Sequence, residues 1–184
     1  MDLRLQSYFK NNIYANRGMT LEDDINQTNQ YYNLHDIALV YKKSTPIQIV
    51  NVEYPQNRIK EAYFKEPSTL DYNGIYSGVY LEFDAKETQS KTSFPLSNIH
   101  PHQMKHMERV IDFGGVTFLI VRFSTLNLNF LLFGKDIIHF ESIYHRKSIP
   151  LDFFKEHGYL IELKYVPRLN YIKIVDQFIK EVKK

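Results

Sequence analysis

The stretch "TLDYNGIYSGVYLEFDAKET", Thr69–Thr88, decides how this chain is read. Its aromatic and β-branched residues suit a β-hairpin, and two dipeptides compete for the turn. Asn73-Gly74 is the stronger type I′ signal and Ser77-Gly78 the weaker. Strand length decides between them. A turn at 73–74 leaves only a stub before Ser77-Gly78 interrupts it, whereas a turn at 77–78 leaves two strands of about eight residues, an ordinary length. That choice pairs Tyr76 with Val79. It then sets Asn73 against Glu82, Asp71 against Asp84 and Thr69 against Lys86. Side chains two apart share a face, so Thr69, Asp71, Asp84 and Lys86 form one polar patch while Leu81, Phe83 and Ala85 point the other way.

The patch raises an electrostatic question. Directly opposed residues have Cβ atoms about 4.5–5.5 Å apart, and like charges there are destabilising. Facing carboxylates are a cost unless a cation lies between them. Lys86 partly serves, and a hard divalent cation such as Mg²⁺ serves better, because it prefers carboxylate oxygens and keeps several waters. Two carboxylates and a lysine suit phosphodiester hydrolysis. A bound metal acidifies water and stabilises charge on the phosphate, and the lysine positions or deprotonates that water or neutralises the phosphorane. The spacing alone is weak evidence, since Asp-x-Lys arises by chance in many strands. A solvated strand face that needs no partner is the rival reading.

The rest of the chain bounds the possibilities. Its 184 residues suit one domain with a real core. The 43% hydrophobic and 24% charged fractions are those of an ordinary globular protein. No apolar run is long enough to span a bilayer, and "MDLRLQSYFKNN" lacks the apolar region of a signal peptide. There is no cysteine, which excludes disulfides and thiolate metal sites and fits a cytoplasmic location. Net charge is +2 but uneven: Arg146–Lys184 carries nine Lys/Arg against five Asp/Glu, leaving fourteen against sixteen elsewhere. A basic C-terminal part suits a polyanion partner, and a solvated helix face gives the same count.

Along the chain, residues 1–18 read as a mobile arm. Thr20–Tyr32 reads as a helix capped by Thr20 with Asp23 three residues on. "DIALVYKK" and "IQIVNVEY" read as two strands, at least one of them central. Residues 55–68 fit no clean period and read as a protruding insertion. "HPHQMKHMERVIDFGG" is predicted helical from Pro101 to the Gly114-Gly115 stop. "VTFLIVRF" and "LNFLLF" are predicted strands. Helices are expected around Asp136–Tyr144, over Leu151–His157 and in "YIKIVDQFIKEVKK". The sum is one α/β domain over residues 19–184 with a mixed sheet flanked by helices.

Several blocks carry a resemblance: "NRGMTLEDDIN", "PIQIVNVEYP", "IKEAYFKEPSTLDYNG", "FDAKETQSKTSFPL" and "HGYL". Together, in order from Asn16 to the final helix, they resemble the RecU-type Holliday junction resolvases of low-GC Gram-positive bacteria. The resemblance implies a restriction-endonuclease-like fold, a homodimer, and Mg²⁺-dependent paired nicking of four-way DNA junctions, with Mn²⁺ expected to substitute. By matching motifs it places metal-site residues at Thr69, Asp71, Asp84 and Gln103, and the lysine that stabilises the transition state at Lys86. It reads the 55–68 insertion as the family's stalk, which reaches into the junction, with Arg58 and Phe64 among its DNA-contacting residues. Recombinase and branch-migration proteins are implied partners. This chain departs from the family in having Asp84 where Glu is usual, in a shorter and less basic arm, and in a shorter first half of the stalk.

Other residues have two readings each. Glu22 is a base or ligand behind the metal, or a first-turn acid favoured by the helix dipole. Arg17 grips a phosphate or forms a structural ion pair. Lys42 and Lys43 line a DNA track or are plain surface lysines. Phe64 wedges into unstacked bases or packs the stalk. His102 and His106 have the i, i+4 spacing of a zinc pair, but no HExxH pattern accompanies them. A nuclease for duplex or damaged DNA, and a non-catalytic DNA-binding recombination accessory protein, are the competing functions. The stalk argues against the first and the intact Asp71, Asp84 and Lys86 against the second.

Overall fold

The computed structural model describes residues 19–44, 46–64 and 69–182. In chain order the elements are α1 (Leu21–Leu34), β1 (Leu39–Lys42), β2 (Ile47–Glu53), β3 (Arg58–Phe64), β4 (Tyr72–Tyr76), β5 (Val79–Thr88) and β6 (Ser93–Pro95), then α2 (Pro101–Asp112), β7 (Val116–Phe123), β8 (Leu128–Phe133), α3 (Gly134–Tyr144), β9 (Ser148–Pro150), α4 (Leu151–His157), β10 (Tyr159–Leu160) and α5 (Tyr171–Val182). The expected arm, residues 1–18, lies outside the described residues, and Arg17 with it.

The hairpin turns at Ser77-Gly78. Both residues have positive φ, +48° and +76°, as a type I′ turn requires. The ladder runs from Tyr76–Val79 to Tyr72–Phe83, the expected register. Asn73-Gly74, the stronger turn dipeptide, lies inside β4 instead. Gly74 is there because β1 crosses it closely: a Cβ would sit 2.2 Å from the Leu39 carbonyl oxygen. A glycine inside a strand often marks such a close backbone approach.

Six strands form the main sheet in the order β1-β4-β5-β7-β8-β10. β5 and β7 are parallel and the other pairings antiparallel. The parallel pair needs a crossover, and α2 lies on that connection. β7 is buried at every position except Arg122, as a central strand covered on both faces should be. Its alternate residues feed two cores. Val116, Phe118 and Ile120 join Leu81, Phe83 and Tyr72 beneath α1 and α5. Leu119, Val121 and Phe123 join Met104, Met107, Ile137, Phe140 and Phe154 beneath α2, α3 and α4. Tyr72, Phe83 and Phe118 stack in the first core, with ring centroids 4.9 and 4.5 Å apart.

α1 begins at Thr20, whose side chain and that of Asp23 close the expected capping box. Asp24, one residue on, is buried and accepts from Arg122 Nη2 (2.5 Å) and Arg168 Nε (2.8 Å), tying α1 to β7 and to the segment before α5. Among the described residues no helix is long and apolar enough to cross a membrane.

Three expectations are corrected. Neither early strand is central: β1 is an edge of the main sheet, and β2 pairs only with β3 in a two-stranded ribbon. The insertion therefore begins near Ile47 rather than at Pro55. Its β-branched run looked like core, yet Ile47, Ile49, Val50, Ile59 and Tyr63 are all about half exposed, because among the described residues β2 and β3 pack chiefly on each other. Finally, β4 has five residues rather than about eight. It starts at Tyr72, so Asp71 stands just beyond the ladder.

Candidate active site

The register aims Glu82, Asp84 and Lys86 at the α2 side of the sheet, since Asp84 lies beside Leu119 and Glu82 beside Thr117. Asp84 is fully buried. Its Oδ2 receives Lys86 Nζ at 2.9 Å and Gln103 Nε2 at 2.9 Å. Its Oδ1 is buried without any partner. Asp71, partly exposed and one residue before β4, is near enough for its charge to act on the Asp84 carboxylate. Burial pushes the Asp84 carboxyl up to about 6, Lys86 opposes the rise and Asp71 adds to it. Of the five residues selected for this site, Asp71, Asp84, Lys86 and Gln103 thus come together, and Thr69 joins them through its carbonyl.

Gln103 connects the sheet to α2. Its Nε2 donates to the Thr69 carbonyl (2.8 Å) as well as to Asp84. Its Oε1 accepts from the His100 backbone N–H (3.1 Å), closing the capping box of α2. Both ends of the amide are engaged, so in this arrangement Gln103 orients Asp84 and the free acceptor is Asp84 Oδ1. Thr69 Oγ1 is likewise occupied, with Lys43 Nζ (2.7 Å) and Glu82 Oε1 (3.1 Å). An orphaned buried carboxylate oxygen asks for an explanation, and beside Asp71 it fits a hard divalent cation that takes one or two carboxylates and keeps its waters. Among the described residues no three His, Cys, Asp or Glu side chains gather into a group that could hold a metal by themselves.

Glu22 lies at the rim of this acidic region, where its charge and those of Asp71 and Asp84 all act on Tyr72. It pairs with Lys42 at the edge of the sheet, and Lys42 is raised above the usual lysine range by that bond, against the opposing effect of burial, with the charges of Asp71 and Asp84 adding further. The Lys43 ammonium is held by Glu82 and Thr69. Arg58 is exposed on β3 opposite Glu53, and Phe64 ends that strand opposite Ile47. His102 stacks on His100. His106 Nε2 lies 2.9 Å from Glu82 Oε1, an ion-pair contact that completes no hydrogen bond.

Glu82 is the residue that sequence reading missed. It is 1% exposed and gathers Lys43, Thr69, His106 and, through Oε2, the Tyr80 hydroxyl at 2.9 Å. Burial alone would raise its carboxyl. The bond from Lys43, with the close His106 ring adding to it, outweighs that and holds it below the usual range. The signal was available, since the register had placed Glu82 two residues from Asp84 on the same face.

A mixed sheet flanked by helices, with Asp84 and Lys86 on the second strand of a hairpin and Asp71 just before its first strand, has the architecture of the restriction-endonuclease-like class. The chain belongs to the recombination protein U (RecU) family, whose model matches residues 16–177. It is 50% identical over 173 residues to the Holliday junction resolvase RecU of Bacillus cereus strain B4264, covering 91% of this chain and 86% of that protein. The resolvase of the same name from Geobacillus kaustophilus strain HTA426 is 52% identical over 169 residues, covering 89% and 84%.

Proposed function

We propose that this chain is a resolvase of four-way DNA junctions, cutting by Mg²⁺-dependent, paired and symmetric phosphodiester hydrolysis, with Mn²⁺ able to substitute. Half-identical relatives that carry the resolvase name support the substrate. The observation that carries the chemistry is the buried, partnerless Asp84 Oδ1 beside Asp71 and Lys86. Asp71 and Asp84 would hold the cation, which supplies an acidified water and neutralises charge on the phosphate. Lys86, 2.9 Å from Asp84 Oδ2, is placed to orient the attacking water and to stabilise the charge that develops on the phosphate. Gln103 keeps Asp84 from rotating. The β2–β3 ribbon, exposed along most of its length and bearing Arg58 and Lys60, would reach the branch point, where bases unstack at least cost.

Residues 19–184 act in this reading as one nuclease domain in the cytoplasm. Two copies related by a two-fold axis match a two-fold symmetric junction, so that each cuts one strand. Recombinase and branch-migration proteins are the expected partners in the cell. Backbone phosphate contacts make binding strongly salt-dependent. The test is Asp71→Asn: it should bind a mobile four-way junction and fail to cut it with Mg²⁺. Undiminished cutting would overturn the site, and equally tight binding to matched linear duplex would overturn the substrate.

A further inference from the structure

Resting on the proposed site, we infer that Glu82 is a positioning residue for cation capture: by pinning Lys43 it sets Asp71 opposite Asp84. Asp71 needs such a device. β4 begins at Tyr72, so no β5 rung holds residues 69–71. Lys43 holds this segment at both ends instead. Its backbone N–H donates to the Asp71 carbonyl (2.7 Å) and its ammonium to Thr69 Oγ1 (2.7 Å). The ammonium is fixed in turn by Glu82, which also bonds Thr69 Oγ1 directly.

Glu82 reaches the second side of the site as well. His106, its partner on α2, lies one helical turn beyond Gln103, whose amide holds both Asp84 and the Thr69 carbonyl. One buried carboxylate on β5, the strand that bears Asp84, therefore touches three pieces around the acidic pair: the end of β1, residues 69–71 and the first half of α2. Its bonds go to these pieces and to the neighbouring Tyr80 hydroxyl. A carboxylate that served only to stabilise the fold would have no reason to converge on the loop carrying Asp71. Groups that orient metal ligands typically matter about 10–100-fold in affinity or activity.

The experiment uses Glu82→Gln, which keeps the shape and removes the charge. Direct calorimetric titration of DNA-free protein with Mn²⁺ should show affinity weakened about 10–100-fold. The Mg²⁺ concentration giving half-maximal single-turnover junction cutting should rise in step. Hydrogen exchange at the Lys43 amide should quicken, while junction binding without metal stays unchanged. Lys43→Met should give the same pattern, and it decides the matter if Glu82→Gln does not fold. Because the two act as a unit, the double variant should be no worse than the worse single one. Wild-type Mn²⁺ affinity in Glu82→Gln, or fully additive losses in the double variant, would overturn the inference. Those outcomes leave the site itself standing as long as wild-type protein cuts and Asp71→Asn does not. A wild-type protein that neither binds Mn²⁺ better than Asp71→Asn nor cuts would overturn both.

Discussion

Asp84 should make the metal-free protein less stable as pH rises, because burial outweighs its ion pair with Lys86. Its folded-state carboxyl stands at about 6 against an ordinary 3.8. Between those values the folded chain holds a proton that the unfolded chain has released. The contribution is therefore complete below pH 3.8 and lost as pH climbs through 6. At about 1.4 kcal/mol per tenfold change in proton affinity, the full span is about 3 kcal/mol. From pH 5 to pH 8 linkage leaves about 1.4 kcal/mol to be measured. The assay is urea unfolding in chelator at several pH values, for wild type and Asp84→Asn. Subtracting the two cancels the carboxylates that do not interact with Asp84, leaving its own titration together with its coupling to Asp71. The wild type should lose ground to the variant by that amount from pH 5 to pH 8. Lys86→Met removes the charge that opposes the rise, so its loss should extend to higher pH. Saturating Mg²⁺, which would select the ionised form, should turn the trend upward. A flat or rising difference in chelator would refute the reasoning.

Further expectations concern the chemistry and the frame. Lys86→Met should slow single-turnover cutting by about 10²–10³ while junction affinity holds, as for the loss of one charge-stabilising group. Gly74→Ala would place a Cβ 2.2 Å from the Leu39 carbonyl oxygen and 2.8 Å from Val40 Cα. It should cost about 1–3 kcal/mol in urea unfolding and loosen β1, with Lys43 beyond it. Arg122→Met leaves the buried Asp24 with Arg168 alone, and it should cost about 3–5 kcal/mol with an unchanged denaturant slope.

Where local chemistry and tertiary context agreed, the sequence was enough. Thr20 with Asp23, Pro101 before an amphipathic run, and Gly158 after Leu151–His157 each mark an element end that the structure reproduces. The Ser77-Gly78 turn carried the register and with it the grouping of Asp71, Asp84 and Lys86. Where they diverged, reading by period failed. Ile47, Ile49, Val50 and Val52 have the composition of a buried strand, but burial depends on what covers a strand, and among the described residues the ribbon packs chiefly on itself. Gly74 is a turn residue by composition and a packing residue by position. Gln103 entered only through the family resemblance, because no local pattern says that a helix end meets a strand. Glu82 stayed silent because its partners Lys43, Thr69 and His106 are distant in sequence and converge only in the fold.

The double use of Gln103 has a thermal consequence. One amide both closes the first turn of α2 and steadies Asp84, so fraying of that turn and loosening of Asp84 are the same event. Helix ends open locally at free energies well below that of global unfolding. Cutting competence should therefore fade on warming before the sheet melts, in step with amide exchange at Gln103 and Met104. The upper working temperature of this enzyme is then set by one turn of helix rather than by its core.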